Sequence, residues 1–180
     1  MNTSTEQPGI SRRQLLRYGL LGTLVLATAG GIASVTRTLR SGPGTGYRQL
    51  RESHIPMLRR IIPVILDGAL PAGEADAAVQ AVLDGLDRSL DHLSPAMRSQ
   101  SLQLFDLLSL DLTRGAATGI WRSWENATSE QVQDFLSRWE HSRLALFRQG
   151  YGALNQAILL VWYGQPLAWA HCGYPGPPRF

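Results

Sequence analysis

The chain contains no lysine and only one cysteine, and both shortages limit what it can be. Because Cys172 has no partner within the chain, the fold is held by packing, or Cys172 pairs outside the chain. Every basic residue is an arginine, and from Arg37 onward fourteen arginines stand against thirteen acids. A body so close to neutral does not support nucleic-acid binding.

The sequence also lacks the common signatures of catalytic and metal sites. It has no Cys-x-x-Cys, no histidine pair at i, i+4, no Gly-x-Gly-x-x-Gly, no P-loop and no Gly-x-Ser-x-Gly. Asp84, Asp87 and Asp91 have helical spacing, and we interpret them as a solvated helix face. His171 and Cys172 are a weak metal pair without further ligands nearby. We therefore predict no catalytic residue, no metal site and no cofactor in this chain.

Near the N-terminus, two adjacent arginines precede a long uncharged run. The run, Tyr18–Thr36, is as long as a membrane span, but glycine, serine and threonine dilute it. This arrangement resembles a twin-arginine (Tat) export signal, in which Ser-Arg-Arg-x precedes two apolar residues. The residues that carry the resemblance are Ser11, Arg12, Arg13, Leu15 and Leu16. We predict a signal peptide or anchor over residues 1–36, with cleavage and retention both open.

The remainder of the chain has no strand pattern and predicts a helical domain. Residues 37–46 are rich in glycine and proline and predict a flexible linker, and residues 47–166 predict a small helical bundle. Pro56 and Pro63 predict two short helical pieces within residues 47–70. Gly150 and Gly152 predict a break before a last helix over residues 153–163.

Two helix starts are marked by capping signals. Ser94-Pro95 predicts an N-cap followed by proline at the first helical position, for a helix that runs to about residue 114. Thr128 and Gln131 have the spacing of a capping box. The run from Leu102 to Leu112 is apolar around much of its circumference, so we predict that this helix is central. Residues 74–93 form the clearest amphipathic helix.

The C-terminal stretch, residues 167–180, combines aromatic residues with closely spaced prolines and glycines and predicts an irregular tail. Such a segment packs on its own bundle or docks on a partner, and both options are open. The predicted partner-binding residues are Trp169, Gly173, Tyr174, Pro175 and Pro177. Tryptophans 121, 124 and 139 are interpreted as core residues.

Taken together, three stretches resemble the small subunit of periplasmic flavin dehydrogenases, the gluconate 2-dehydrogenase subunit 3-like family. They are the arginine pair Arg12-Arg13, the segment Arg60-Ile61-Ile62-Pro63, and the terminal residues 173–178. Val64-Ile65-Leu66-Asp67 stands where the family often has an Asp-x-Thr-Pro-Gly-like stretch, which indicates a divergent branch.

The resemblance implies a non-catalytic accessory subunit. Its partners would be the Tat translocase and a flavoprotein large subunit of the glucose–methanol–choline type, with a cytochrome subunit as a further partner. FAD would belong to the large subunit, which is exported folded together with this chain. The location implied is the periplasm or the periplasmic face of the inner membrane, the latter through Tyr18–Thr36.

Two other classes of function are open on the sequence alone. One is a stand-alone exported helical enzyme or ligand-binding protein, in which His141 or His171 would meet carboxylates in a polar pocket. The other is a membrane-anchored structural protein, in which Tyr18–Thr36 stays in the mature chain.

Overall fold

The computed structural model describes residues 42–71 and 73–176, and within them the fold is all-α, as predicted. The predicted signal, with Ser11, Arg12, Arg13, Leu15 and Leu16, lies outside the described residues. The helices are α1 (His54–Ile65), α2 (Ala75–His92), α3 (Pro95–Ser109), α4 (Asp111–Thr118), α5 (Ser129–Glu140), α6 (Ala145–Tyr163) and α7 (Pro166–Cys172). A 3-10 turn, Trp124–Asn126, stands between α4 and α5.

Helix α1 is the centre of the bundle, because it packs against α2, α3, α5 and α6. Four of its apolar side chains are completely buried, namely Met57, Leu58, Ile61 and Ile62. Burying each such side chain contributes about 2 kcal/mol before conformational entropy is counted. The exposed residues of α1 include Arg59 and Arg60, which keep the remaining face of this helix polar.

The prediction that residues 94–114 form one central helix is wrong. The segment is divided at Leu110, whose extended ψ of 126° separates α3 from α4. The Thr113 hydroxyl donates to the main-chain oxygen of Leu107 at 2.6 Å, which satisfies a carbonyl at the break. Helix α3 buries only Phe105, Asp106 and Leu108 in the core, so part of its apolar surface is left without a neighbour.

Both predicted helix starts are confirmed. The Ser94 hydroxyl accepts from the Met97 amide at 3.4 Å, with Pro95 at the first helical position. At α5, the Gln131 amide donates to the Thr128 hydroxyl at 3.2 Å, and the Thr128 amide donates to the Gln131 side chain at 3.1 Å. These contacts are local in sequence, which is why the sequence predicts them.

Two predicted helix breaks do not occur. Helix α1 continues through Pro63, which lies in its last turn, where the missing N–H costs one main-chain bond. Helix α6 continues through Gly150 and Gly152. Gly150 serves packing, because a Cβ atom at that position would lie 2.6 Å from Cζ3 of Trp139. A second close approach joins α2 to α6, where a Cβ atom at Gly85 would overlap Cγ1 of Val161.

The described part of the predicted linker is folded against the bundle. The Gly44 amide donates to the Leu50 main-chain oxygen at 2.8 Å, and Pro43 forms an isolated antiparallel bridge with Arg51. Residues 42–46 are therefore part of the folded body and do not form a free linker.

The predicted irregular tail begins later than expected. Residues 166–172 form α7, because Pro166 suits the first helical position and Ala168 is buried against the rest of the bundle. Gly173, with φ of 70°, ends this helix in the left-handed region. Irregular backbone follows over residues 174–176. Within residues 42–71 and 73–176, no helix has both the length and the apolar character to cross a membrane.

Candidate interaction surface

An apolar groove of about 490 Å³ lies between α3 and α6. On each helix the wall residues recur every three or four positions, which places them on one face. These regularly spaced residues are Met97, Gln100, Leu104 and Leu107 on α3, and Leu146, Gly150, Ala153 and Ala157 on α6. The polar residues Ser101, Gln103 and Gln149 also line the groove. Every residue that lines the groove is uncharged. The uncovered apolar surface of α3 is therefore one wall of a groove.

The floor of the groove is aromatic and rigidly held. The rings of Trp139 and Phe147 lie with centroids 5.2 Å apart, and Phe105 completes the lining from α3. Trp139 Nε1 donates to the main-chain oxygen of Ala117 at 2.8 Å, which fixes the indole orientation. The groove is consequently a built feature of the bundle and does not depend on the conformation of one loose side chain.

Several large apolar side chains along this face are open to solvent. Met97 is 57% exposed at one end of the α3 wall, and Leu146 is 73% exposed at the start of the α6 wall. The same strip of α6 continues to Leu160, which is 72% exposed. From Gln149 to Pro178 the chain has no aspartate, glutamate or arginine. Contiguous apolar surface that is depleted of charge is typical of an interaction site.

Positive charge is concentrated where α6 begins. Arg143 and Arg148 are exposed, and among the described residues neither lies within salt-bridge distance of a carboxylate. Arg148 donates to the main-chain oxygen of Ser142 at 2.6 Å. The acid at this end is Glu140. Burial raises the pKa of Tyr151 above its usual value of 10.0, and the Glu140 carboxylate adds to that rise.

The predicted partner-binding tail is folded back on α7. Trp169 Nε1 donates to the main-chain oxygen of Tyr163 at 2.8 Å, and its ring meets Tyr174 edge-to-face at 5.6 Å. Gly173, Tyr174 and Pro175 are exposed, with Tyr174 at 47%. Trp169 thus packs within its own chain while Tyr174 remains available. Pro177 lies outside the described residues.

A buried polar cluster, which the sequence does not predict, joins the start of the bundle to α3. His54 is fully buried, and its Nε2 atom lies 2.9 Å from Oδ1 of Asp106. The main-chain N–H of Arg51 donates to His54 Nδ1 at 3.2 Å, so we assign the imidazole proton to Nε2, which donates to Asp106. The Arg51 guanidinium contacts both carboxylate oxygens, at 2.6 and 2.7 Å. The sequence does contain one indication of this cluster, because Asp106 is an acid inside the otherwise apolar run 102–112.

The three acids of α2, Asp84, Asp87 and Asp91, are interpreted from the sequence as a solvated helix face. This interpretation is wrong for Asp87. Asp87 is only 6% exposed, and its carboxylate accepts from the main-chain N–H groups of residues 48, 49 and 50 at 2.8 to 2.9 Å. Asp91 binds the side chains of Arg48 and Gln49. Of the three, only Asp84 is classed as exposed. Two carboxylates therefore anchor the segment that leads into α1.

Of the three tryptophans predicted to be core residues, two are buried and one is exposed. Trp124 and Trp139 are buried, and Trp124 Nε1 donates to the Leu108 main-chain oxygen at 2.8 Å. Trp121 is 76% exposed, so the prediction is wrong for this residue. Its ring lies against Gly115, where no side chain separates it from α4.

The part of the chain that the structure describes contains no group of three or more histidine, cysteine, aspartate or glutamate residues able to hold a metal ion. His141 is exposed, with Nδ1 at 2.9 Å from the Ser137 main-chain oxygen and 3.9 Å from a Glu140 oxygen. Comparison with protein-family models, curated proteins and solved structures finds no match to this chain.

Proposed function

We propose that this chain is a non-catalytic accessory subunit that supports Tat export and assembly of a flavin-dependent dehydrogenase of the glucose–methanol–choline type. The observation that supports this proposal is the uncharged, exposed face of α6, with the groove beside it. A chain that acts by holding another protein needs an accessible apolar surface more than a polar cavity.

Under this proposal, the arginine pair of the N-terminal segment directs export, and the apolar surface holds the protein that is exported with this chain. Arg12 and Arg13 mark the chain for a route that carries folded proteins, and a flavoprotein must receive its FAD before export. The helical body then grips the folded, flavin-loaded partner, and the Tat translocase carries both. The FAD belongs to the partner, and the complex works in the periplasm or at the periplasmic face of the inner membrane.

The test is isolation of the complex from the cells that encode this chain. The chain carries a C-terminal affinity tag, and the purified material is analysed by mass spectrometry and by the absorbance of bound flavin. Co-purification of a flavoprotein dehydrogenase in a constant ratio supports the proposal. Purification of this chain alone, without flavin absorbance, overturns it.

A second candidate function is favoured by the size of the groove. A volume of about 490 Å³ falls within the range of roughly 300–1,000 Å³ that is typical of small-ligand sites. Under this alternative the chain is an exported binding protein for an uncharged apolar molecule. Native mass spectrometry of the same preparation distinguishes the two, because a bound small molecule without a protein partner supports the alternative.

A further inference from the structure

We propose that the end of the bundle around the last turn of α5 is a contact surface for an anionic phospholipid membrane. This surface, the α5 end, consists of Trp121 and Arg122 before α5 and of Arg143, Leu144, Leu146 and Arg148 after it. The inference does not depend on which protein partner the chain has. It adds a mode of membrane attachment through the folded body of the protein.

Two stretches of the chain meet at the last turn of α5. The Arg138 guanidinium donates to the main-chain oxygen of Thr118, and a Cβ atom at Gly119 would lie 2.7 Å from Nη2 of the same arginine. The first turn of α6 packs against the next residue of α5, because the rings of Phe147 and Trp139 lie with centroids 5.2 Å apart. The loop that follows α4 and the start of α6 are therefore held at the same end of α5.

Three large apolar side chains protrude from the α5 end. Trp121 is 76% exposed, Leu144 is 55% exposed and Leu146 is 73% exposed. Their positions are fixed, because the Leu144 amide donates to the Ser142 hydroxyl at 3.2 Å and the Trp121 ring lies against Gly115. Entry of these side chains into the interface of a membrane removes their apolar surface from water.

The same two stretches carry an excess of positive charge. Residues 117–123 and 137–148 together contain four arginines and one acid, Glu140. The arginines are Arg122, Arg138, Arg143 and Arg148. In the part of the chain that the structure describes, none of the four lies within salt-bridge distance of a carboxylate. This local excess, in a body that is otherwise close to neutral, complements anionic lipid head groups.

The mixing of apolar and basic side chains favours a lipid surface over a protein partner. Apolar residues and arginines alternate in Trp121-Arg122 and again over residues 143–148. A protein interface of ordinary size needs a contiguous apolar core, which separate apolar tips among arginines do not provide. At a membrane, the guanidinium groups reach the head groups while the leucine and tryptophan tips reach the start of the acyl chains.

The experiment uses the tagged full-length chain and the intrinsic fluorescence of Trp121. The chain is mixed with vesicles of phosphatidylglycerol and phosphatidylcholine that carry bromine on part of their acyl chains, and the bromine quenches nearby tryptophan. Subtracting the signal of Trp121→Phe from that of wild type isolates the exposed indole. We expect quenching of this difference signal with anionic vesicles, and a response at least about tenfold weaker with phosphatidylcholine alone.

The readout is specific for the folded body. Residues 1–40 contain no tryptophan, so membrane contact by the N-terminal segment alone leaves the difference signal unchanged. Trp121→Phe changes an exposed side chain and keeps an aromatic ring, so the variant should fold like wild type.

Two leucines of α6 provide a matched pair of variants. Leu146 and Leu160 are 73% and 72% exposed, but only Leu146 belongs to the α5 end. Leu146→Ser should lower the vesicle affinity by about fivefold or more, because a hydroxyl replaces an inserted apolar side chain. Leu160→Ser should change the affinity by less than about twofold, and urea midpoints show whether both variants are folded equally well.

Charge variants test the basic part of the surface. Arg143→Gln combined with Arg148→Gln should lower the affinity for anionic vesicles by about tenfold or more. The control, Arg59→Gln combined with Arg88→Gln, removes two charges from the exposed faces of α1 and α2 and should have a much smaller effect. Added salt should weaken the binding of wild type more than that of the Arg143 and Arg148 variant.

Each contrary outcome is distinct from a failure of the proposed function. Sedimentation of the chain with vesicles without quenching of Trp121 overturns the inference, because another part of the chain then holds the membrane. A chain that stays in solution with anionic vesicles overturns it as well, and so does an equal loss for Leu146→Ser and Leu160→Ser. No flavoprotein is present in these experiments, so the accessory function stands or falls by co-purification alone.

Discussion

The Nε2 atom of His54 lies 2.9 Å from Oδ1 of Asp106, and the two residues are 52 positions apart in sequence. Neither side chain is open to solvent, with 0% of the histidine and 7% of the aspartate side chain exposed. The same carboxylate also receives the Arg51 guanidinium at 2.6 Å. One buried acid therefore holds both the start of α1 and the segment before it against α3.

Removing that acid should be costly. Asp106→Ala leaves the His54 N–H and the mostly buried Arg51 guanidinium without the carboxylate, and we expect a loss of about 3 kcal/mol in the free energy of unfolding. The measurement is urea denaturation followed by circular dichroism. Asp84→Ala is the matched control, because its carboxylate is exposed and accepts from the Gln80 side chain on the same helix, and it should contribute less than about 1 kcal/mol. Equal losses for the two variants would contradict a structural role of the buried cluster.

The close crossing of α2 and α6 depends on Gly85. Gly85→Ala introduces a methyl group into the space of Val161 Cγ1, and we expect a loss of about 1–3 kcal/mol from overpacking. Gly152→Ala is the control, because open space surrounds that position, and it should stabilise α6 by about 0.5–1 kcal/mol. Adding Val161→Ala to Gly85→Ala should recover part of the loss. A neutral Gly85→Ala variant would show that the helices move apart without cost.

The sequence predicts contacts that are local and misses those that are distant. Ser94 and Thr128 cap helices through residues three positions away, and both caps are confirmed. Asp87 instead binds main-chain groups 37 to 39 residues earlier in the chain, so its helical spacing with Asp84 and Asp91 suggested a solvated face. In the sequence of α2, no local pattern distinguishes the acid that faces water, Asp84, from the acid that faces distant N–H groups, Asp87.

The same reasoning applies to the candidate surface. The composition of the tail leaves two options open, packing on its own bundle or docking on a partner. In the structure, Trp169 is held by its own chain, whereas Tyr174 is 47% exposed. The sequence does not predict the groove, because an apolar residue on α3 gives the same sequence pattern whether or not a neighbouring helix covers it. Which side is left open depends on how α1 and α6 pack, which involves contacts between residues far apart in sequence.

Acid should weaken the attachment of residues 48–49 to α2. The hydrogen bond from Gln49 holds the pKa of Asp91 below its ordinary value of 3.8, with Arg48 adding to the effect. Because the pKa is lower in the folded state, the stabilisation is present above about pH 4 and is lost as the pH falls through the lowered value. Gln49→Ala should raise the pKa of Asp91 toward 3.8, as measured by NMR titration of its carboxyl carbon. Gln103→Ala is the control, and an unchanged Asp91 pKa in Gln49→Ala would contradict the assignment.

The export prediction concerns residues outside the described structure and is tested in cells. Replacing Arg12 and Arg13 together by lysine keeps both charges but removes the planar guanidinium groups, which lysine does not reproduce. Under the proposed function, the periplasmic levels of this chain and of its flavoprotein partner should fall together, because one signal serves both. Immunoblots of fractionated cells measure this, with Arg17→Lys as the control outside the pair. Loss of this chain alone would show that the partner has its own route, and unimpaired export of both would contradict the Tat assignment.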